Sequence, residues 1–168
     1  MTIRSWIEKA FRSGKPPAVE LRLAVALLVA KGYLVYPQSR TSAGVWISVE
    51  PVQSLSSESP PLDIGAAIRK ALCASNDNVK HPTDWDGVLR PILQAANLRS
   101  WNELQKCARY CNIEATSTAI KLLPTRNGGT SGPRKGYQAL MEQTTELPLS
   151  CTDEELGVAL LRTIELCC

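Results

Sequence analysis

Residues 62–75 read LDIGAAIRKALCAS, and residues 154–166 return to the phrase in altered form as EELGVALLRTIEL. Asp63, Ile64, Gly65 and Ala67 match Glu155, Leu156, Gly157 and Ala159, and the match continues through Ile68/Leu160 and Ala71/Thr163. Apolar residues three and four apart place each phrase on a helix. Glycine inside a helix costs about 1 kcal/mol relative to alanine, so each glycine needs a reason. Close approach of the helix backbone to a strand, or of the two helices to one another, supplies one, whether the likeness arose by duplication or by convergence. Neither phrase carries catalytic chemistry.

Both helices have start signals. Ser59 ahead of Pro60 and Pro61 is placed to cap a helix over about residues 60–75. Thr152 and Glu155 have the Thr-x-x-Glu spacing of a capping box, in which the hydroxyl takes a backbone N–H and the carboxylate reaches back to the cap. Leu156, Ala159, Leu160, Thr163, Ile164 and Cys167 then share one face, so the last helix is expected to dock on a sheet.

Toward the N-terminus, Ile3, Trp6, Ile7, Ala10 and Phe11 have helical spacing that Gly14, Pro16 and Pro17 end. A second, buried helix is expected from Pro17 through Leu21, Val25, Leu28 and Val29 until Gly32 stops it, which makes residues 1–31 a helical N-terminal part. Beyond it, YLVYP and GVWISVE are rich in aromatic and β-branched residues and read as two antiparallel strands around the loop QSRTSAG, with VQSLSSESPP as a connector. Asp84 or Thr83 is expected to cap a short helix that ends near Asn97 and is interrupted or restarted at Pro91; Ser100 caps a helix over WNELQKCARYC. CNIEATSTAIKLLPT reads as two short strands, or one broken strand, turning near Ser117, and RNGGTSGPRKG as a Gly-rich loop before YQALMEQTTELPL and more sheet. The expected fold is one α+β domain over residues 1–168, a mostly antiparallel sheet with helices packed on it.

A chain of 168 residues buries roughly two-thirds of its unfolded surface, and 44% hydrophobic with 21% charged residues is globular, not disordered. The net charge of +3, with Lys and Arg scattered, permits nucleic-acid binding without indicating it, and excludes a strongly acidic mimic of a polyanion. In LRLAVALLVAKGYLV only Leu23 to Ala30 are uncharged, far short of the roughly 20 residues a bilayer requires. The N-terminus lacks the apolar core and cleavage site of a signal peptide, so a cytoplasmic location is expected. Free thiols are then expected for Cys73, Cys107, Cys111, Cys151, Cys167 and Cys168. Cys107 and Cys111 make at most half a metal site, and neither metal nor cofactor is expected.

No Walker loop, dinucleotide fingerprint, nucleophile elbow or His-Glu-x-x-His motif is present, and the single histidine, His81, precedes Pro82 as a solvent-facing or capping residue. TRNGGTSGPRKG has the glycines and cations of a phosphate cradle but neither a Lys-Ser/Thr ending nor a following helix, so a binding hairpin is the better reading. Trp85 and Trp101, like Trp6 and Trp46, are expected to anchor the core.

In the order of its pieces the chain resembles the contact-dependent growth inhibition (CDI) immunity proteins, the CdiI family. The resemblance rests on LDIGAAIRKALCAS after a short sheet region, WNELQKCARYCNIEATSTAIKLLPT, GPRKGYQAL and ELPLSCTDEELGVALLRTIELC, and covers about residues 45–168. It implies strand over much of residues 1–40, where the residues themselves read as helix. It also implies a non-enzymatic cytoplasmic protein that binds the toxic C-terminal domain of a cognate toxin, often a nuclease, and blocks its active site or substrate access. Candidate contacts are Arg126, Asn127, Arg134, Lys135 and Tyr137 in the Gly-rich hairpin, with Glu50 and Asp86 facing a basic toxin. The alternative from another class is a nucleic-acid-binding accessory protein that uses Arg126, Arg134, Lys135 and Lys121 on phosphates. A hydrolase or transferase with an unrecognised site has least support.

Overall fold

Two strands, β1 (Arg22–Val29) and β2 (Gly32–Arg40), form the centre of the computed structural model, which describes residues 21–168. They pair antiparallel across a tight turn at Ala30 and Lys31, with Val29 opposite Gly32, Leu27 opposite Leu34 and Val25 opposite Tyr36. This corrects the helix expected up to Gly32: from Arg22 onward the segment is strand. The physical reason is burial on both faces. Ala24 and Ala26 point into one apolar cluster while Val25, Leu27 and Val29 point into another, so β1 lacks the alternation that distinguishes a half-buried strand from a buried helix. Gly32 has φ +125°, and a Cβ there would lie 2.1 Å from the Leu55 carbonyl oxygen; its left-handed backbone serves a hairpin, not a helix end. The helix expected over residues 3–12 lies outside the described residues.

Strands β3 (Trp46–Ser48) and β4 (Gln53–Leu55) both pair with β2, one at each end, so the presumed connector contributes a strand. On the other side β1 pairs with β5 (Arg109–Ala115), which turns at residues 116–118 into β6 (Ala119–Asn127). Two short strands, β7 (Tyr137–Ala139) and β8 (Thr145–Pro148), pair with opposite ends of β6. The order β3-β2-β1-β5-β6-β7 is antiparallel between every pair of strands, and both edges are split into short strands that offer little continuous backbone to another chain.

Four α-helices of the described residues cover both faces, giving the expected α+β domain. Helices α1 (Pro61–Ala74) and α4 (Asp153–Glu165) close one face over Ile64, Ile68, Leu156 and Leu160; α2 (Trp85–Ala96) and α3 (Trp101–Cys107) close the other over Ile92 and Leu104. Asp84 caps α2, its Oδ1 accepting from the Gly87 N–H at 3.0 Å, and Asn97 ends the helix at φ 57°, with Pro91 carried inside it. Two expected details are corrected. Pro60, not Ser59, occupies the cap of α1, without a side-chain bond. Helix α3 stops at Cys107 and ARYC crosses into β5, because Tyr110 and Cys111 gain sheet partners in β1 and burial that outweigh helix continuation. Cys107 and Cys111 therefore share no helix face.

The two glycines meet each other's helix. A Cβ on Gly65 would stand 1.7 Å from the Asp153 carbonyl oxygen, and one on Gly157 1.8 Å from that of Pro61. Each glycine thus receives the backbone four residues ahead of the other, a reciprocal contact that brings two helix N-termini together. Their dipoles repel at close range, and the acidic first turns, Asp63 on α1 and Asp153, Glu154 and Glu155 on α4, offset this. Arg69 ties the joint: Nε donates to Asp153 Oδ1 at 2.5 Å, and the guanidinium also reaches the carbonyl oxygens of Cys151 and Leu149.

The capping box forms as expected. The Glu155 N–H donates to Thr152 Oγ1 at 3.1 Å, and Glu155 Oε2 accepts the Thr152 N–H at 2.7 Å. First the backbone N–H and then the hydroxyl of Thr152 hold the Glu155 carboxyl below its ordinary value of 4.5. A depressed carboxyl pKa adds stability above the unfolded value, and this is lost as pH falls through the folded one. Thr152→Ala removes the hydroxyl but keeps the backbone N–H, so it is expected to return the Glu155 titration midpoint, read by NMR, only part of the way toward the ordinary value and to reduce that acid-side loss without abolishing it.

Candidate functional site

The seven candidate contact residues fall into two places on the molecule. Five lie in the hairpin between β6 and β7; Glu50 and Asp86 lie near the opposite edge, beyond β3 and in the first turn of α2. Five strand spacings of about 4.8 Å, roughly 24 Å, separate β3 from β7.

The hairpin is built from within. Asn127 pairs with Tyr137, the Gly128 N–H donates to the Gly136 carbonyl at 2.8 Å, and that of Gly136 donates to Gly129 at 2.9 Å. The Gly129 N–H donates to Asn127 Oδ1 at 3.0 Å and that of Lys135 to the Gly132 carbonyl at 3.3 Å. These amides are spent on loop closure, so they form no phosphate nest. Asn127 Nδ2 donates to the Gln105 carbonyl at 2.5 Å and Gln105 Nε2 to that of Gly129 at 2.6 Å, which ties the hairpin to α3. Tyr137 stacks on Tyr110 with ring centroids 4.6 Å apart, and burial pushes its hydroxyl pKa up to about 12. Asn127 and Tyr137 thus position the loop, while Arg126, Arg134 and Lys135 are exposed. Lys121 stands apart: it is five residues from Arg126 along β6, about 17 Å, and pairs with Glu146 at 3.5 Å.

A cavity of about 440 Å³ opens beside the hairpin, lined by Lys106, Arg109, Asn127, Tyr137, Cys107 and Cys168 among others. Among the described residues no group of three or more His, Cys, Asp or Glu is arranged to hold an ion. All six cysteines are free, with Cys111, Cys151 and Cys167 buried and Cys107 and Cys168 exposed. Burial is the largest cause raising the pKa of each buried thiol. A thiol reagent at pH 8 is expected to modify Cys107 and Cys168 quickly, Cys73 slowly, and the buried three only in denaturant, as mass spectrometry of timed samples reads directly.

At the other edge a cleft of about 290 Å³ opens between the β3–β4 connection and the start of α2. Glu50 and Asp84 stand among its lining residues. Trp85, expected in the core, is 49% exposed here, its ring edge-on to His81 at 5.5 Å between centroids; a capping site places it on the first turn, where the chain is not yet covered. His81 Nδ1 lies 3.2 Å from Thr41 Oγ1, a structural contact. Of the two cap candidates, Thr83 and Asp84, Asp84 takes the position, and it also lines the cleft.

With this geometry in place, comparison with known proteins identifies the lineage. A family model described as CdiI, CDI immunity protein, matches residues 24–167. The chain belongs to the CDI immunity protein family. CdiI proteins are inhibitors, not enzymes, in keeping with the absence of a catalytic motif from the sequence. Solved structures share the fold, among them the following two. A Neisseria meningitidis protein of unknown function is similar with a TM-score of 0.73 at 15% identity, covering 89% of this chain and 96% of that one. A chain from the CdiA-CT/CdiI toxin and immunity complex of Yersinia pseudotuberculosis is similar with a TM-score of 0.71 at 15% identity, covering 89% and 99%. At that identity the likeness is one of fold. No curated protein matches. Among the described residues of this CdiI member no helix is long and apolar enough to cross a membrane.

Proposed function

We propose that this CdiI-family chain binds the toxic C-terminal domain of its own strain's contact-dependent growth inhibition toxin in the cytoplasm and blocks that domain's active site or substrate access. The observation that carries the reading is the family match over residues 24–167; the fold shared with a chain of a toxin and immunity complex supports it. The toxin is read as a nuclease, whose cationic substrate groove suits the acidic groups at the β3 edge. The exposed cations Arg126, Arg134 and Lys135 form a second rim, and Asn127 and Tyr137 hold them in place. Nucleic acid is not a favoured partner, because Lys121 is paired and the glycine-loop amides are internally bonded.

Co-expression with the toxin domain encoded beside it tests the reading. Growth rescue, and a stoichiometric complex recovered through a tag on one partner, are expected. Toxicity undiminished by a well-folded immunity chain would reject it.

A further inference from the structure

The cleft at the β3 edge has a floor and a rim of different chemistry. Ile47, Val52, Val88, Pro91 and Ile92 supply apolar surface, with Ile47 and Ile92 only 8% and 1% exposed. Glu50 and Asp84 are exposed among its lining residues and Trp85 follows Asp84 at the start of α2, whereas Asp86 lies on the other side of that helix from Gly87, Val88 and Pro91. We propose that this cleft seats an arginine- or lysine-bearing loop of the toxin domain. The aliphatic stem lies on the apolar floor and the cationic head meets Glu50 and Asp84. This rests on the reading that the toxin is the partner, and adds to it the face used and the chemistry recognised.

Charge complementarity argues for that occupant. Among the described residues no ion pair engages Glu50. Asp84 faces Arg90 across 3.8 Å, with both side chains about two-thirds exposed to water at 66% and 64%, so the pair is weak and easily exchanged. Two carboxylates against one guanidinium leave the cleft net negative in a chain of net charge +3. An anionic ligand is repelled there, and a wholly apolar one leaves the carboxylates unpaired; a long cationic side chain satisfies both parts, since its stem is apolar and its head charged. The exposed face of Trp85 adds a platform on which a guanidinium stacks, and tryptophan is a residue type that dominates interface energetics.

Glu50→Lys and Asp84→Lys, alone and together in the full chain, test the proposal against the toxin domain by calorimetry or biolayer interferometry. Both side chains are exposed, and Asp84→Asn, which keeps an acceptor for the Gly87 N–H while removing the charge, is the control for loss of the α2 cap. Each single reversal is expected to weaken binding at least about tenfold and the pair about 100-fold, with a shallower salt dependence than the parent complex. Trp85→Ala is expected to weaken it about tenfold or more. A double reversal within about threefold of the parent Kd would overturn the cleft while leaving the toxin reading intact. Reversals that spare toxin binding but abolish self-association in sedimentation would give the cleft to a second copy and equally overturn the proposal. Failure of the parent chain itself to bind the toxin would remove both readings together.

Discussion

Gly65→Ala is expected to lower stability by about 3 kcal/mol, against the gain of about 1 kcal/mol that helix propensity alone assigns to the exchange. The sign is decided by what the new methyl meets. At 1.7 Å from the Asp153 carbonyl oxygen it strikes backbone, not the end of a flexible side chain, and relief requires α1 and α4 to separate. Separation then loosens Ile64, Ile68, Leu156 and Leu160, all at 0% exposure, from the sheet beneath. Gly157→Ala meets the Pro61 carbonyl oxygen at 1.8 Å and is expected to cost a similar amount. The double variant is expected to cost less than the sum, because one separation relieves both clashes. Urea denaturation reads these differences, and the melting temperature of each single variant is expected to fall by about 9 °C. Exposed Ala66 is the internal control: Ala66→Gly alters only propensity and is expected to cost about 1 kcal/mol. Stabilisation by either Gly→Ala exchange would mean that the two helices do not touch as described.

Arg69→Met is expected to cost about 2 kcal/mol. Methionine keeps most of the packing volume but none of the donors, so the Asp153 carboxylate loses its cation and the Cys151 and Leu149 carbonyl oxygens lose a shared partner. The Arg69 and Asp153 side chains are 20% and 33% exposed, so water recovers part of the loss and holds the figure below that of a buried pair. A double-mutant cycle with Asp153→Asn by urea denaturation separates the ion pair from the carbonyl contacts. A coupling near zero would show that Arg69 acts on the carbonyls alone.

The parts of the fold legible in the sequence are those whose signals are local. Thr152 with Glu155, Asp84 before Trp85, Ser100 before Trp101 and Asn97 after Ala96 mark helix ends by chemistry confined to one turn. The glycines of α1 and α4 were legible as packing devices because a helical glycine is costly, and only their mutual contact awaited coordinates. Strand β1 was illegible for the converse reason. Its apolar character on both faces is imposed by helices far along the chain, and Gly32 fits the end of a helix as well as the turn of a hairpin. Strand β4, of three residues in the stretch read as a connector, exists by pairing with β2, a tertiary fact with no local sign.

The candidate surface divided along similar lines. Charge and glycine content marked the hairpin, but Asn127 and Tyr137 face inward and serve its architecture. Glu50 and Asp86 were legible as charges, whereas the cleft that Glu50 lines and Asp86 does not is assembled from β3, the β3–β4 connection and α2, and no sequence window contains it.

Titration of the purified chain with its cognate toxin domain, and with toxin domains of unrelated systems, measures the central claim most directly. A Kd of about 1 nM or tighter for the cognate domain, with no measurable binding to the others, is the expected result. Micromolar or indiscriminate binding by a folded chain would contradict it.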